Sequence, residues 1–220
     1  MRMSLTQLSA FAAASILAMS SVQAQEIGEF GCGALDNAYG PFDYTNPIHR
    51  REKIPVVVRV HFPQSVQTLT SGNASTIGGD IDYTLRAIPN HHGALNAIAR
   101  YEFKTQKSPP PGSRYTVDCW FDRAMRFKPD DGTVRMVYAI YLQKKGATDA
   151  AIQRYQEAID LIPESPEPHY NLGLLYAKLG NYEMAMEEAR IAYAEGYPLQ
   201  GLRRKLESAG AWQDLTTSGD

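Results

Sequence analysis

The sequence repeats itself at a spacing of 34 residues through its second half, and this period constrains the fold more than any other feature. The recurring residues are either small, as glycine and alanine are, or large and apolar. The matching pairs are Gly146 with Gly180, Ala151 with Ala185, Ala158 with Ala192, and Tyr138-Ala139 with Leu172-Gly173. A repeat of this length predicts one supersecondary unit that is copied along the chain and stacks on its neighbours.

Two stretches indicate which unit is repeated. The segment NLGLLYAKLGNYEMA at 171–185 has large, small and aromatic residues in the order found in the tetratricopeptide repeat. One unit earlier, the second half of the same pattern is present at Ala151, Tyr155, Ala158 and Pro163. The chain resembles this family. The resemblance implies a mainly α fold, a helical-hairpin solenoid in which each unit is a pair of antiparallel helices.

Small residues have a physical role in such a pair. Two antiparallel helices approach closely only where one side chain is small. We therefore expect Ala139 or Gly173 of a first helix to meet Ala151 or Ala185 of a second helix at the crossing. The residues expected to end helices are Gly146, Gly180 and Pro163.

Fainter copies of the pattern lie upstream. The half-pattern of an aromatic, an alanine and a proline recurs one period earlier, at Phe121, Ala124 and Pro129. Its first helix is expected over HHGALNAIARYEFK, with the insertion SPPPGS at 108–113 before the second helix. A still fainter copy is a degenerate unit or a short helix starting at Asp80. We therefore predict about three units over 81–198.

The end of the array departs from the motif. Ala189 stands where the pattern has an aromatic residue, so the last helix pair is expected to leave room for another element. Leu199, Leu202 and Leu206 recur at helical spacing. We predict a closing helix and tail over 199–220, with the helix covering the open end of the array.

The sequence before residue 80 lacks the pattern and predicts an irregular region over 25–80. Within it, the β-branched run IPVVVRVHF from Ile54 to Phe62 is typical of a strand. Residues 1–24 have a basic start, an apolar run and a small-x-small end, which indicate a secretory signal. An uncleaved anchor is the alternative. We expect a periplasmic or secreted protein with no membrane span after cleavage.

Cysteine content and charge limit the classes of function. Cys32 and Cys119 are an even count in an exported chain and predict a disulfide, with two separate buried thiols as the alternative. The 22 basic and 24 acidic residues give a formal net charge of −2. This near balance argues against nucleic acid as the main partner, because nucleic-acid binding needs concentrated positive charge.

The resemblance also implies a binding surface, since the inner face of such arrays comes mainly from the first helix of each pair. The residues expected to be exposed on that face are Asn96, Arg100, Met136, Ile140, Tyr170 and Leu174. The apolar end of this face suits an extended or helical segment of a protein partner. The alternative is that the closing helix or the N-terminal region already fills the groove.

Three lysines occupy equivalent places near the end of each first helix: Lys104, Lys144 and Lys178. A lysine there stabilises the helix dipole, and this is one sufficient explanation. The functional interpretation is a line of positive charge that guides an acidic segment of the partner.

Catalytic signals are weak. The chain contains no HExxH, GxSxG or SxxK motif and no glycine-rich phosphate loop, so we predict no enzyme activity and no cofactor. His91 and His92 follow Asn90, a plausible helix cap. The favoured function is an exported, non-catalytic scaffold that binds a protein in an envelope or secretion assembly. The alternative is an accessory protein for a metal or small ligand, with His61, His91 and His92 meeting in the N-terminal region.

Overall fold

The structure, a computed structural model, describes residues 31–213, and within that range it is built from helices and contains no strand. The predicted signal over 1–24 and the end of the predicted tail lie outside the described residues. By its internal contacts the chain divides between Pro129 and Asp130 into two compact units. None of the helices in the described range has the length and hydropathy of a membrane-spanning segment.

Six helices lie in the described part of the first unit, residues 31–129. They are α1 (Pro47–Glu52), α2 (Ile54–His61), α3 (Gln64–Gln67), α4 (Ile77–Ala87), α5 (His92–Thr105) and α6 (Val117–Phe127). Side chains cap several of the N-termini, since Asn46, Thr76 and Thr116 each accept a hydrogen bond from a backbone N–H of the first turn. The helices α5 and α6 are the pair predicted as the first, degenerate repeat unit.

The predicted strand from Ile54 to Phe62 is wrong, because residues Ile54–His61 form α2. Pro55 lies in the first turn, where its missing N–H costs no helical hydrogen bond. Ile54 and Val57, three residues apart, are buried, so the apolar face has a helical period. Burial against Ala87 and Ile88 at the end of α4 outweighs the β-propensity of the valines.

The chain before α1, residues 31–46, is called here the lead segment. A disulfide between Cys32 and Cys119 joins it to α6, as predicted. Beside the bond, the buried guanidinium of Arg123 donates from one nitrogen to the carbonyl oxygens of Cys32 at 2.9 Å and Ala34 at 2.6 Å. The lead segment is therefore held to α6 by both covalent and polar contacts.

Five helices lie between residues 130 and 213 of the second unit. They are α7 (Gly132–Lys145), α8 (Thr148–Leu161), α9 (Pro166–Lys178), α10 (Tyr182–Ala194) and α11 (Gly201–Ser208). The strongest packing is within the pairs α7 with α8 and α9 with α10, and α9 also packs on α8. This is the packing that the 34-residue period predicts, in which each pair also contacts the next.

The predicted helix ends are confirmed in this unit. Gly146 at φ 87° and Gly180 at φ 79° follow the first helix of each pair in the left-handed region, which glycine adopts without strain. After each glycine the next N–H returns to a helical carbonyl, from Ala147 to Leu142 and from Asn181 to Tyr176, both at 3.0 Å. These hydrogen bonds satisfy carbonyls that would otherwise lack a partner.

The last helix, α11, packs on α9 and α10 and buries Leu202 and Leu206, two of the three leucines expected at that interface. The third, Leu199, precedes the helix and is 55% exposed. Ala189 of α10 is fully buried, as expected for a site that leaves room for an additional element.

The disulfide generates a prediction for the stability of the first unit. Replacing both Cys32 and Cys119 by alanine should lower the free energy of unfolding by up to about 4 kcal/mol, because the bond closes a long loop in the unfolded chain. The sequence separation of the two cysteines is 87 residues. Urea unfolding monitored by the fluorescence of the buried Trp120 measures the change.

A reductant serves as the control for this experiment. It should lower the unfolding midpoint of the wild-type protein to that of the double variant and leave the variant unchanged. Equal midpoints for the oxidised wild type and the variant would contradict the prediction.

Candidate functional site

The candidate site in the second unit lies on α7 and α9, the first helices of the two pairs, which contact each other directly. Ile140 on α7 is 38% exposed, and its equivalent on α9, Leu174, is half-buried. Lys144 and Lys178 follow them by four residues and are exposed on the same side of their helices. These four residues are called the repeat face.

Two residues expected on this surface are buried. Met136 is 5% exposed and lies under Asn171, whose side-chain nitrogen is 3.9 Å from its sulfur. Tyr170 is 6% exposed. The prediction that these side chains are open to a partner is therefore wrong for the described structure.

The cover over Tyr170 comes from the end of α10 and from the segment that follows it. The ring of Tyr197 lies 4.4 Å from the Tyr170 ring, measured between centroids, and Tyr193 forms an edge contact at 6.5 Å. Gly201 passes so close to the Tyr170 hydroxyl that a Cβ at that position would lie only 2.6 Å from it. The segment ahead of the closing helix α11, together with the first residue of that helix, therefore fills part of the groove. This is close to the alternative that the closing helix fills it, and it explains the burial of Tyr170.

The first unit carries the remaining predicted residues on α5. Asn96 and Arg100 are exposed, and one Arg100 nitrogen donates to the carbonyl oxygen of Gln67 at 3.3 Å. Lys104 donates from Nζ to the carbonyl oxygen of Leu69 at 2.7 Å. Leu69 has a left-handed backbone at φ 58°. Lys104 therefore stabilises an irregular turn in the first unit.

Asn90 was expected to cap α5, but the cap is His91. The Nδ1 atom of His91 accepts a hydrogen bond from the backbone N–H of Ala94 at 3.1 Å. Asn90 is instead fully buried and ties the lead segment down. It accepts from the backbone N–H of Tyr44 at 2.8 Å and donates to the carboxylate of Asp43 at 2.9 Å.

The three histidines of the metal alternative do not form a cluster. The ring of His91 packs against Tyr44 and Phe62, and His92 also contacts Tyr44. His61 pairs with Asp80, with 3.0 Å between Nδ1 and the carboxylate oxygen. Within residues 31–213, no group of three His, Cys, Asp or Glu side chains is placed to hold a metal ion. The predicted meeting of His61, His91 and His92 is therefore wrong.

A buried polar pair lies between α9 and α10 that was not predicted from the sequence. The Nδ1 atom of His169 lies 2.7 Å from a carboxylate oxygen of Glu188, and both side chains are nearly covered. Burial raises the pKa of Glu188, and the hydrogen bond and charge of His169 act in the opposite direction. The available signal was His169 itself, which occupies a place where the repeat normally has a large apolar residue.

The stacked helix pairs and the glycines that end their first helices define a helical-repeat protein. Residues 142–180, which run from the end of α7 to the end of α9, match the family model described as the TPR repeat. The chain thus carries a tetratricopeptide repeat where the sequence predicted one.

Two further comparisons describe similarity. Among solved structures, a crystal structure of MamA protein is similar to this chain at 16% identity, with a TM-score of 0.49. The similarity covers 73% of this chain and 85% of that one. None of the curated proteins compared matches the sequence.

The buried cap generates a prediction for the dependence of stability on pH. Burial lowers the pKa of His91 from 6.5 to about 4 in the folded protein, because the charged ring is not solvated there. The folded state therefore binds fewer protons than the unfolded state between these values. Stability contributed by neutral His91 is complete above pH 6.5 and is lost as the pH falls toward 4, by about 3 kcal/mol at most.

The variant His91→Asn tests this assignment, because asparagine also caps helices but does not titrate. The difference in unfolding free energy between wild type and variant should shift in favour of the variant as the pH falls from 7 to 4. Chemical denaturation at several pH values measures it. Parallel curves for the two proteins would be the contrary result.

Proposed function

We propose that this protein is an exported, non-catalytic scaffold that binds another protein through the repeat face, as part of an envelope or secretion assembly. The observation that carries the proposal is the exposure of Ile140 on the first helix of a repeat pair. Tyr141 and Leu142, the next two residues of α7, are buried, so Ile140 lies on the side of the helix that faces away from the core. Tetratricopeptide repeats typically bind protein partners.

The chemistry of the repeat face defines the kind of partner. Ile140 and Leu174 offer apolar surface at equivalent positions of two helices that contact each other. Lys144 and Lys178 lie one turn further along each helix. A peptide or helical segment with an apolar anchor followed by acidic residues is complementary to this pattern. Lys104 donates to the carbonyl oxygen of Leu69 and is not part of the repeat face.

Two observations support the exported location. The sequence of residues 1–24 has the organisation of a cleaved signal, and the Cys32–Cys119 disulfide is the kind of bond that persists in oxidising compartments. If the proposal is correct, mass spectrometry of the protein from a periplasmic fraction should find a chain that begins at Gln25. A cytosolic chain that retains residues 1–24 would contradict it.

The binding proposal is tested by crosslinking and capture from a periplasmic extract with the wild-type protein and the variant Ile140→Glu. Ile140 becomes buried when the partner binds. Replacing it by a charged residue should therefore lower the affinity for the partner by about ten-fold or more. We expect the wild type to retain a defined protein that the variant does not, with affinity then measured on the purified pair.

Ile191→Glu is the matched control. Ile191 is 40% exposed, close to the value for Ile140, but it lies on α10, the second helix of its pair. This control should bind as the wild type does. Equal loss with both variants, or full binding by Ile140→Glu, would reject the repeat face as the binding surface. Circular dichroism checks that all three proteins have the same helix content.

A further inference from the structure

The first unit has an open pocket of about 260 Å³ that no part of the repeat proposal uses. It lies between α2, α4 and the lead segment. The residues that line it are Tyr39, Val56, Val57, Val60, His61 and Tyr83. Five of the six side chains present an apolar or aromatic surface, so the single imidazole is the distinctive polar element.

Three valines on one side of α2 form the apolar part of the pocket. Val57 is 2% exposed and packs into the core of the unit, whereas Val56 is 42% exposed. Val60, one turn after Val56, is half-buried. The exposed part of this apolar wall favours binding of an apolar ligand, because covering apolar surface lowers the free energy.

His61 is held in place by a carboxylate that is itself fixed. Asp80 is fully buried, and one of its oxygens accepts backbone N–H groups from Asn73, Ala74 and Ser75 at 2.7, 3.2 and 3.2 Å. The other oxygen lies 3.0 Å from Nδ1 of His61. Because a carboxylate oxygen accepts hydrogen bonds, Nδ1 carries the proton, and Nε2 of the neutral ring is then an acceptor.

The plane of the His61 ring is also set. It stacks on Tyr83 with 3.9 Å between centroids and 24° between planes. The guanidinium of Arg86 lies 5.2 Å from the same tyrosine ring and pairs with Asp82. The side chain of His61 is 19% exposed, and its Nε2 has no hydrogen-bond partner among residues 31–213. A preorganised acceptor beside an apolar wall is the usual composition of a small-molecule site.

We propose that this pocket binds a small aromatic molecule that carries one hydroxyl or N–H group, such as a phenol or an indole. The ring of the ligand lies against Val56 and Val60, with Tyr39 offering an aromatic edge or face. The donor group of the ligand binds Nε2 of His61. The size is appropriate, because a cavity of roughly 150 Å³ accommodates benzene. Ligands without a donor leave the imidazole nitrogen unsatisfied and bind less tightly.

The test uses the purified full-length mature protein and three probes: 4-methylphenol, indole and 4-methylanisole. The anisole has the shape of the phenol but no donor. Isothermal titration and the NMR shifts of the valine methyl groups report binding and its location. We expect saturable binding of the phenol and of indole, with the largest shifts at Val56 and Val60. The anisole should bind about ten-fold more weakly, which corresponds to roughly 1.4 kcal/mol.

Two variants test the location of the site while His61 and Asp80 remain unchanged. Val56→Asp places a charge at the exposed mouth and should weaken 4-methylphenol binding by about ten-fold or more. Ile48→Asp is the matched control, because Ile48 is 56% exposed on α1 and does not line the pocket. The control should bind as the wild type does. No saturable phenol binding, equal affinities for phenol and anisole, or equal affinities for the two variants would overturn the proposal.

Discussion

The second unit depends on the close approach of paired helices at residues with almost no side chain. Ala139, Ala151 and Ala185 have no exposed surface. Gly173 is the extreme case, since a Cβ there would lie 2.5 Å from a methyl carbon of Leu202 and 3.2 Å from Cβ of Glu188. The missing side chain lets α11 lie against α9 and α10 at the same point. Because Gly173 has no Cβ, both α10 and the closing helix α11 can pack closely against α9 at this residue.

The first unit is stabilised in a different way. Its lead segment forms no helix or strand, so contacts with the helices must hold it in place. Arg123, only 2% exposed, lies over the Tyr115 ring at 4.9 Å while it binds carbonyl oxygens of the lead segment. Burial lowers the pKa of Arg123, and the carbonyl bonds replace the lost water. Phe42 adds a backbone hydrogen bond to the Ala87 carbonyl at 2.9 Å. These contacts position Tyr39, and with it one wall of the pocket.

The repeat, its helix ends and the disulfide could be predicted because each depends on residues close in the pattern or on a pair of cysteines. The α2 helix could not, since the β-branched run favours a strand locally and only the packing of Ile54 and Val57 on the end of α4 decides otherwise. The burial of Tyr170 was not predicted because its cover, Tyr197, lies in the irregular segment after α10. The His61–Asp80 pair joins residues 19 apart across two helices, and no local signal marks such a contact.

The two units also differ in how far along the chain their contacts reach. In the second unit, Tyr155 bonds Gln143 across 12 residues and His169 meets Glu188 across 19. The covalent tie of the first unit spans 87 residues. Low contact order favours rapid folding, whereas distant contacts are delayed by the entropy of closing a long loop. As the chain is synthesised from its N-terminus, the lead segment gains its covalent tie only after residue 119 has emerged. Each repeat pair, in contrast, packs on the pair next to it in the chain.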